Sequence, residues 1–217
     1  MIDTMNIDCI YFDDIKKIKF DYHCSIVSLA LAFKTTLETI PAKKPYFFTP
    51  KNIKEYWKKK LNRFKRLNIG LKWTGNSSYV DDEHRSTTLK ELKPLFNLPY
   101  DFHSLEIEYS KKDEALLNNI ANLNCHKKDL IGLDKTAGLI ENLDLVISVN
   151  TSVAHLTGAL GKKLWVLLPS VPEYRWLLNR LDSPWYPKTK IYRQSLESDW
   201  RNIIDKVKED LRLLIRY

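Results

Sequence analysis

The chain has 217 residues and 44% apolar content, enough to bury the core of one large α/β domain or of one domain with an appendage, so disorder is not its default reading. Its net charge of +8 is concentrated, because Lys51 to Arg66 holds eight Lys or Arg against one Glu, a local +7. Nucleic-acid-binding folds spread basic residues over a groove interleaved with aromatics. A single charged stretch reads instead as a solvated helix face, with a membrane surface, a nucleic acid or a partner protein as the lesser alternatives.

Residues 1–50 show no sustained period and end in a stretch interrupted by Pro41, Pro45 and Pro50, the pattern of a connector. The apolar run Cys24 to Phe33 is too short to span a bilayer and follows Asp13, Asp14 and Asp21, unlike a secretory signal. Cys9, Cys24 and Cys125 have no metal-ligand spacing and read as thiols in a reducing compartment. The expected location is cytoplasmic, with at most peripheral membrane contact.

From Lys51 to Arg66 a helix is expected, with Ile53, Tyr56, Trp57, Leu61 and Phe64 facing inward. Five strands follow: 68–73, 102–106, 143–149, 164–169 and 190–194. The segments between them, KDEALLNNIANL, DKTAGLIENL and TSVAHLTGAL, have helical period. Apolar strands alternating with helices imply an α/β, Rossmann-like parallel sheet covered on both faces. A last helix over about 198–216 puts Trp200, Ile203, Ile204, Val207, Leu211 and Leu214 on one stripe.

Ligands of such sheets sit at the carboxyl ends of the strands, where helix N-termini offer free N–H groups. After the strand ending at Val149, Asn150 is a candidate cap. Thr151 and Ser152 open a helix able to hold a diphosphate, and His155 lies one turn on. Read from the pattern alone, a capped helix with an inward His is more often structural. Gly158 and Gly161 read as close helix packing and a helix C-cap. GxGxxG and GxxxxGK[ST] motifs are absent, which argues against a nicotinamide dehydrogenase or a P-loop enzyme.

The long polar loop after the first strand offers Gly75 for a tight turn, Asn76 for a ligand hydroxyl and Arg85 for phosphate oxygens. Asp81, Asp82 and Glu83 read as solvated acids rather than a metal site, so no metal and no cofactor are expected. Trp185 and Tyr186 could stack on a base or sugar, or belong to the core.

The stretch LDLVISVNTSVAHLTGALGKKLWVLLP, followed by RWLLNRLDSPWYP, resembles the C-terminal lobe of GT-B glycosyltransferases related to the bacterial heptosyltransferases and the O-linked GlcNAc transferase group. GLKWTGN followed by HRSTTL is similar to that lobe's first strand and phosphate loop. HCSIVSLALAFKTTLETIPA resembles the end of the N-terminal lobe.

The resemblance implies a single GT-B C-terminal lobe over 51–217, with 1–50 as the end of an acceptor lobe and a connector. It implies metal-independent transfer from a nucleoside-diphosphate sugar to a glycan or protein acceptor. Thr151, Ser152 and His155 would hold the donor diphosphate, Arg85 would be a basic phosphate ligand, and Gly75 and Asn76 would shape the donor loop. Asn150 stands where the group usually has Asp, and Glu106 where a Gln is common. About 50 residues cannot build a full acceptor lobe. No base is identifiable, Asp21 and His23 being the titratable candidates there. The alternative is therefore a truncated or split, non-catalytic nucleotide-binding module that acts through a partner subunit or self-association.

Overall fold

The computed structural model describes residues 10–42, 45–62, 64, 66–76, 82–171, 173–195 and 199–214, with the backbone alone at Phe12, Ile15, Lys16 and Glu83. Its strands are β1 (Asn68–Lys72), β2 (Asp101–Ser104), β3 (Leu123–Cys125), β4 (Leu145–Val149), β5 (Leu164–Leu168) and β6 (Thr189–Arg193). All neighbouring pairs are parallel, in the order β3-β2-β1-β4-β5-β6.

The α-helices are α1 (Leu29–Ala32), α2 (Lys51–Leu61), α3 (Asp82–Arg85), α4 (Leu89–Leu92), α5 (Lys111–Leu117), α6 (Leu133–Glu141), α7 (Ser152–Ala159) and α8 (Trp200–Leu214). Among the described residues no helix is long and apolar enough to cross a membrane.

Alternation along the strands divides the core in two, as the two-residue side-chain period of a strand requires. Val146, Leu164, Val166 and Leu168 join Ile53, Trp57, Ile140 and Leu156 on one face, under α2, α6 and α7. Ile69, Leu71, Leu145 and Ile147 join Leu89, Leu92, Ile203 and Val207 on the other, under α4 and α8. The sheet is thus covered on both faces, as the alternating pattern requires. The α8 stripe is buried at Trp200, Ile203, Ile204, Val207 and Leu211.

Three expectations are corrected. The helical period of KDEALLNNIANL predicts a helix through Leu123, but that helix stops at Leu117, with Asn118 as its C-cap, and Leu123 begins β3, a strand the sequence does not announce. A three-residue edge strand is too short to display a period. The basic helix ends at Leu61 rather than Arg66, and Phe64 packs against the core from beyond it. Tyr56 is exposed, because the inward row is Ile53, Trp57 and Leu61, spaced by four. The Tyr56 hydroxyl instead donates to Asp129 Oδ1 at 2.7 Å.

Residues 10–42 carry short helical turns, and Ile26, Val27, Leu31 and Phe33 are exposed. The chain rejoins the sheet domain at Tyr46 and Phe47, whose backbone N–H groups donate to Ala159 O at 3.1 and 3.3 Å. There Gly161, at φ 66°, ends α7, the role expected of it.

Candidate functional site

The register pairs Lys72 with Ser148, so the carboxyl ends of β1 and β4 lie side by side. The strand order reverses there, β2 and β3 extending to one side and β5 and β6 to the other, which is where open parallel sheets form a ligand crevice. Two loops meet at this point, one leading into α7 and one following β1.

Thr151, not Asn150, is the N-cap of α7, with extended backbone at φ −141° and ψ 173°. Its side chain makes no capping bond, its hydroxyl lying 3.2 Å from Ser148 Oγ. Among the described residues no side chain caps this helix, and the first intrahelical backbone bond is from Ala154 N–H to Thr151 O, at 3.0 Å. The amides of Ser152 and Val153 are therefore presented at the positive end of the helix dipole, and Ser152 is exposed. That end suits an anion.

Asn150 is corrected from cap to bridge. Its Oδ1 accepts the indole N–H of Trp176 at 2.9 Å, and its Nδ2 lies 3.4 Å from Glu173 Oε2. A neutral amide donates and accepts at once, which a carboxylate at this position could not do.

His155 stacks on Trp176, with ring centroids 5.2 Å apart, and its Nδ1 lies 3.1 Å from the Tyr186 hydroxyl. Burial first, and the Arg175 guanidinium second, lower its pKa to about 4. The ring is thus neutral at pH 7. Glu173 Oε2 lies 3.9 Å from Nε2, which favours the tautomer carrying the proton there. Neutral His155 can then donate from Nε2 beside the helix end.

Tyr186 belongs to the core rather than to a stacking platform. It is 6% exposed, and a Cβ at Gly158 would lie 2.3 Å from its ring, so the glycine is what lets α7 approach it. Trp185 is half-buried beside it, packed against the core.

In the β1 loop, Gly75 N–H donates to Ser86 Oγ at 2.7 Å, and Asp82 accepts from both Ser86 Oγ and Arg85 Nε. Gly75 has no positive φ; a Cβ there would sit 2.0 Å from Asp82 Oδ1 and would displace the Asp82–Arg85 pair. Arg85 therefore stands at this loop, ion-paired to Asp82. Asn76 is exposed at the loop's edge. Asp82 is taken up by these bonds, Asp81 lies outside the described residues, and among the described residues no His, Cys, Asp and Glu cluster could hold a metal. Asp21 and His23 are exposed on the N-terminal segment.

Two residues not among the expected site residues organise the crevice. Glu106, 1% exposed, accepts the N–H groups of Trp73 and Thr74 and the Thr74 hydroxyl, each at 2.8 Å, and pairs with Lys72. Glu173 pairs with Arg175 over the opening of α7. Glu106 lies more than thirty residues from the loop it holds, and Glu173, beside Arg175 in sequence, reaches back to Asn150 and His155.

No protein-family model and no curated protein matches the chain. Solved structures do. The E. coli ADP-heptose lps heptosyltransferase II superposes with a TM-score of 0.52 at 17% identity, over 83% of this chain and 56% of that one. The E. coli heptosyltransferase WaaC with ADP-2-deoxy-2-fluoro heptose gives 0.50 at 12%, over 81% and 52%. A glycosyl transferase family 9 structure from Veillonella parvula gives 0.50 at 9%, over 76% and 45%. The chain spans about half the length of these structures. Its fold is that of a Rossmann-like lobe of the GT-B glycosyltransferases.

Proposed function

We propose that this chain binds a nucleoside-diphosphate sugar at the crevice between β1 and β4 and acts as the donor-binding lobe of a glycosyltransferase. The observation that carries the reading is the uncapped N-terminus of α7 at the point where the strand order reverses, with neutral His155 beside it. The Ser152 and Val153 amides would receive the diphosphate, and His155 would donate to it from Nε2. As the sugar leaves for an acceptor hydroxyl, negative charge grows on the diphosphate. Fixed donors stabilise that charge without reorganising, a reading that requires no metal.

On this reading residues 51–217 are this lobe and residues 1–50 the end of an acceptor lobe and connector; the superpositions over about half of each solved chain fit the size of one lobe. The acceptor would be a glycan or a protein. Thermal-shift and calorimetric titrations with uridine, guanosine, adenosine and cytidine diphosphates and their sugar conjugates test the reading. A ligand at about a hundred times its Kd adds roughly 2.7 kcal/mol of stability. One preferred nucleotide, lost in His155→Ala, supports the proposal, and silence across the whole panel refutes it.

A further inference from the structure

Arg175 stands in a short helical turn, Tyr174–Trp176, with Glu173 as its N-cap, and Glu173 reaches Asn150 and His155 at the opening of α7. The turn is fastened from two sides. Trp176 is fully buried and donates its indole N–H to Asn150 Oδ1. Arg193 Nη2 donates to Trp176 O at 3.3 Å and to Leu177 O at 2.7 Å. What this anchored turn presents is an ion pair with both members partly exposed, Arg175 at 38% and Glu173 at 31%.

The Glu173 carboxylate does more than neutralise Arg175. One oxygen pairs with the guanidinium, and the other reaches Asn150 Nδ2 at 3.4 Å and approaches His155 Nε2 at 3.9 Å. Those are neighbours that a ligand phosphate at the α7 amides would also have. On the donor-site reading the carboxylate holds part of the place of an external anion, and it engages Arg175, the cation two residues on. Arg175 also rests over the Tyr174 ring, 4.8 Å from its centroid, which keeps the guanidinium near the turn when its carboxylate partner changes.

Building on the donor-site reading above, we propose that Arg175 is a phosphate-binding residue of this site and that Glu173 is its displaceable counter-ion, an internal competitor for the ligand diphosphate. Binding then exchanges one anion for another on Arg175. The guanidinium passes from carboxylate to phosphate, its fork matching either. Glu173 swings away from Asn150, removing a like charge from beside the diphosphate. The affinity is thereby held below what the helix end and Arg175 would give together.

This inference predicts a sign that a merely structural ion pair would not. In calorimetric titrations with inorganic pyrophosphate and with the nucleotide panel, Glu173→Gln tightens binding by about tenfold, the scale on which neighbouring charges alter association. Arg175→Ala weakens it by tenfold or more. Arg175→Lys keeps the charge but recovers only part of the affinity, because a single ammonium cannot bind two oxygens side by side. The Glu173→Gln gain shrinks when Arg175→Ala is also present.

Glu173→Ser, with circular dichroism and a melting curve for each variant, supplies a second removal of the carboxylate should Gln disturb the turn. Binding that is weakened or unchanged in both Glu173 variants, in a wild-type protein that binds pyrophosphate or a nucleotide, overturns the inference and leaves the donor reading standing. Pyrophosphate bound more tightly by the Glu173 variants, with no nucleotide preferred over it, supports the inference and defeats the donor reading. No binding to any variant overturns both.

Discussion

Glu106 holds Thr74 twice, accepting its backbone N–H and its hydroxyl at 2.8 Å each, and so fixes the first residues of the loop that leaves β1. The same carboxylate takes the Trp73 N–H and pairs with Lys72, whose side chain is itself only 11% exposed. Removing one member of a buried ion pair leaves the other charged and unsolvated, which costs about 3–5 kcal/mol. Glu106→Ala is expected to lose that much in urea denaturation. Glu106→Gln keeps one acceptor for the loop amides and loses less. Adding Lys72→Met to Glu106→Gln restores most of the remainder, since no unpaired charge is left, and a double variant no better than the single one would contradict this account.

His155 makes stability depend on pH in a calculable direction. Its folded pKa, lowered to about 4 by burial and by Arg175, lies below the value near 6.5 of an unfolded histidine. Between these values the unfolded chain binds the extra proton, so stability falls as pH drops from about 6.5 towards 4 and rises again with pH. The gap corresponds to about 3 kcal/mol at this one group. Denaturation curves for wild type and His155→Gln at pH 7 and pH 4 isolate it. The variant should lose less stability over that interval, by roughly this amount, and equal losses would mean that the ring is not held neutral.

Gly158→Ala sets two effects of opposite sign against each other. Helix propensity alone favours alanine by up to about 1 kcal/mol. The new methyl, however, would meet the Tyr186 ring at 2.3 Å, and the ring is wedged against His155 and Trp176. Overpacking of this kind costs about 1–3 kcal/mol. The melting temperature should therefore fall. A gain in stability would show that the ring yields freely.

What could be read from the residues, and what could not, follows the range of the interactions. The positions of Thr151, Ser152 and His155 are set by one strand end and one helix start, both local features that the pattern shows. Gly158 and Gly161 are legible for the same reason. Asn150 is not: an Asn before a helix reads as a cap, and its bridge to Trp176 appears only once a segment 26 residues away folds back over it. Glu106 and Glu173 owe their roles to partners brought in by sheet closure and by the turn after β5. For Tyr186 the residues leave stacking and core packing open, and the missing side chain at Gly158 shows where the ring goes. β3 fails for a different reason, being too short to carry a period and paired along one edge only.

The basic helix supplies the last prediction, because its charge and its packing separate cleanly. Lys54 pairs with Glu141 at 3.1 Å and Lys60 with Asp129 at 2.7 Å, so two of its lysines are neutralised within the fold. Lys58 and Lys59 are exposed, off the buried row of Ile53, Trp57 and Leu61. Surface charges of this kind are worth less than about 0.5 kcal/mol each. Lys58→Gln with Lys59→Gln should leave both the melting temperature and nucleotide binding nearly unchanged. Trp57→Ala, by contrast, empties a fully buried position where the indole packs edge-on to His126, and should cost about 3–5 kcal/mol. If the lysine pair instead abolished binding of a nucleotide or an anionic surface, the stripe would be a recognition surface, and charge rather than the buried row would explain why this helix is so basic.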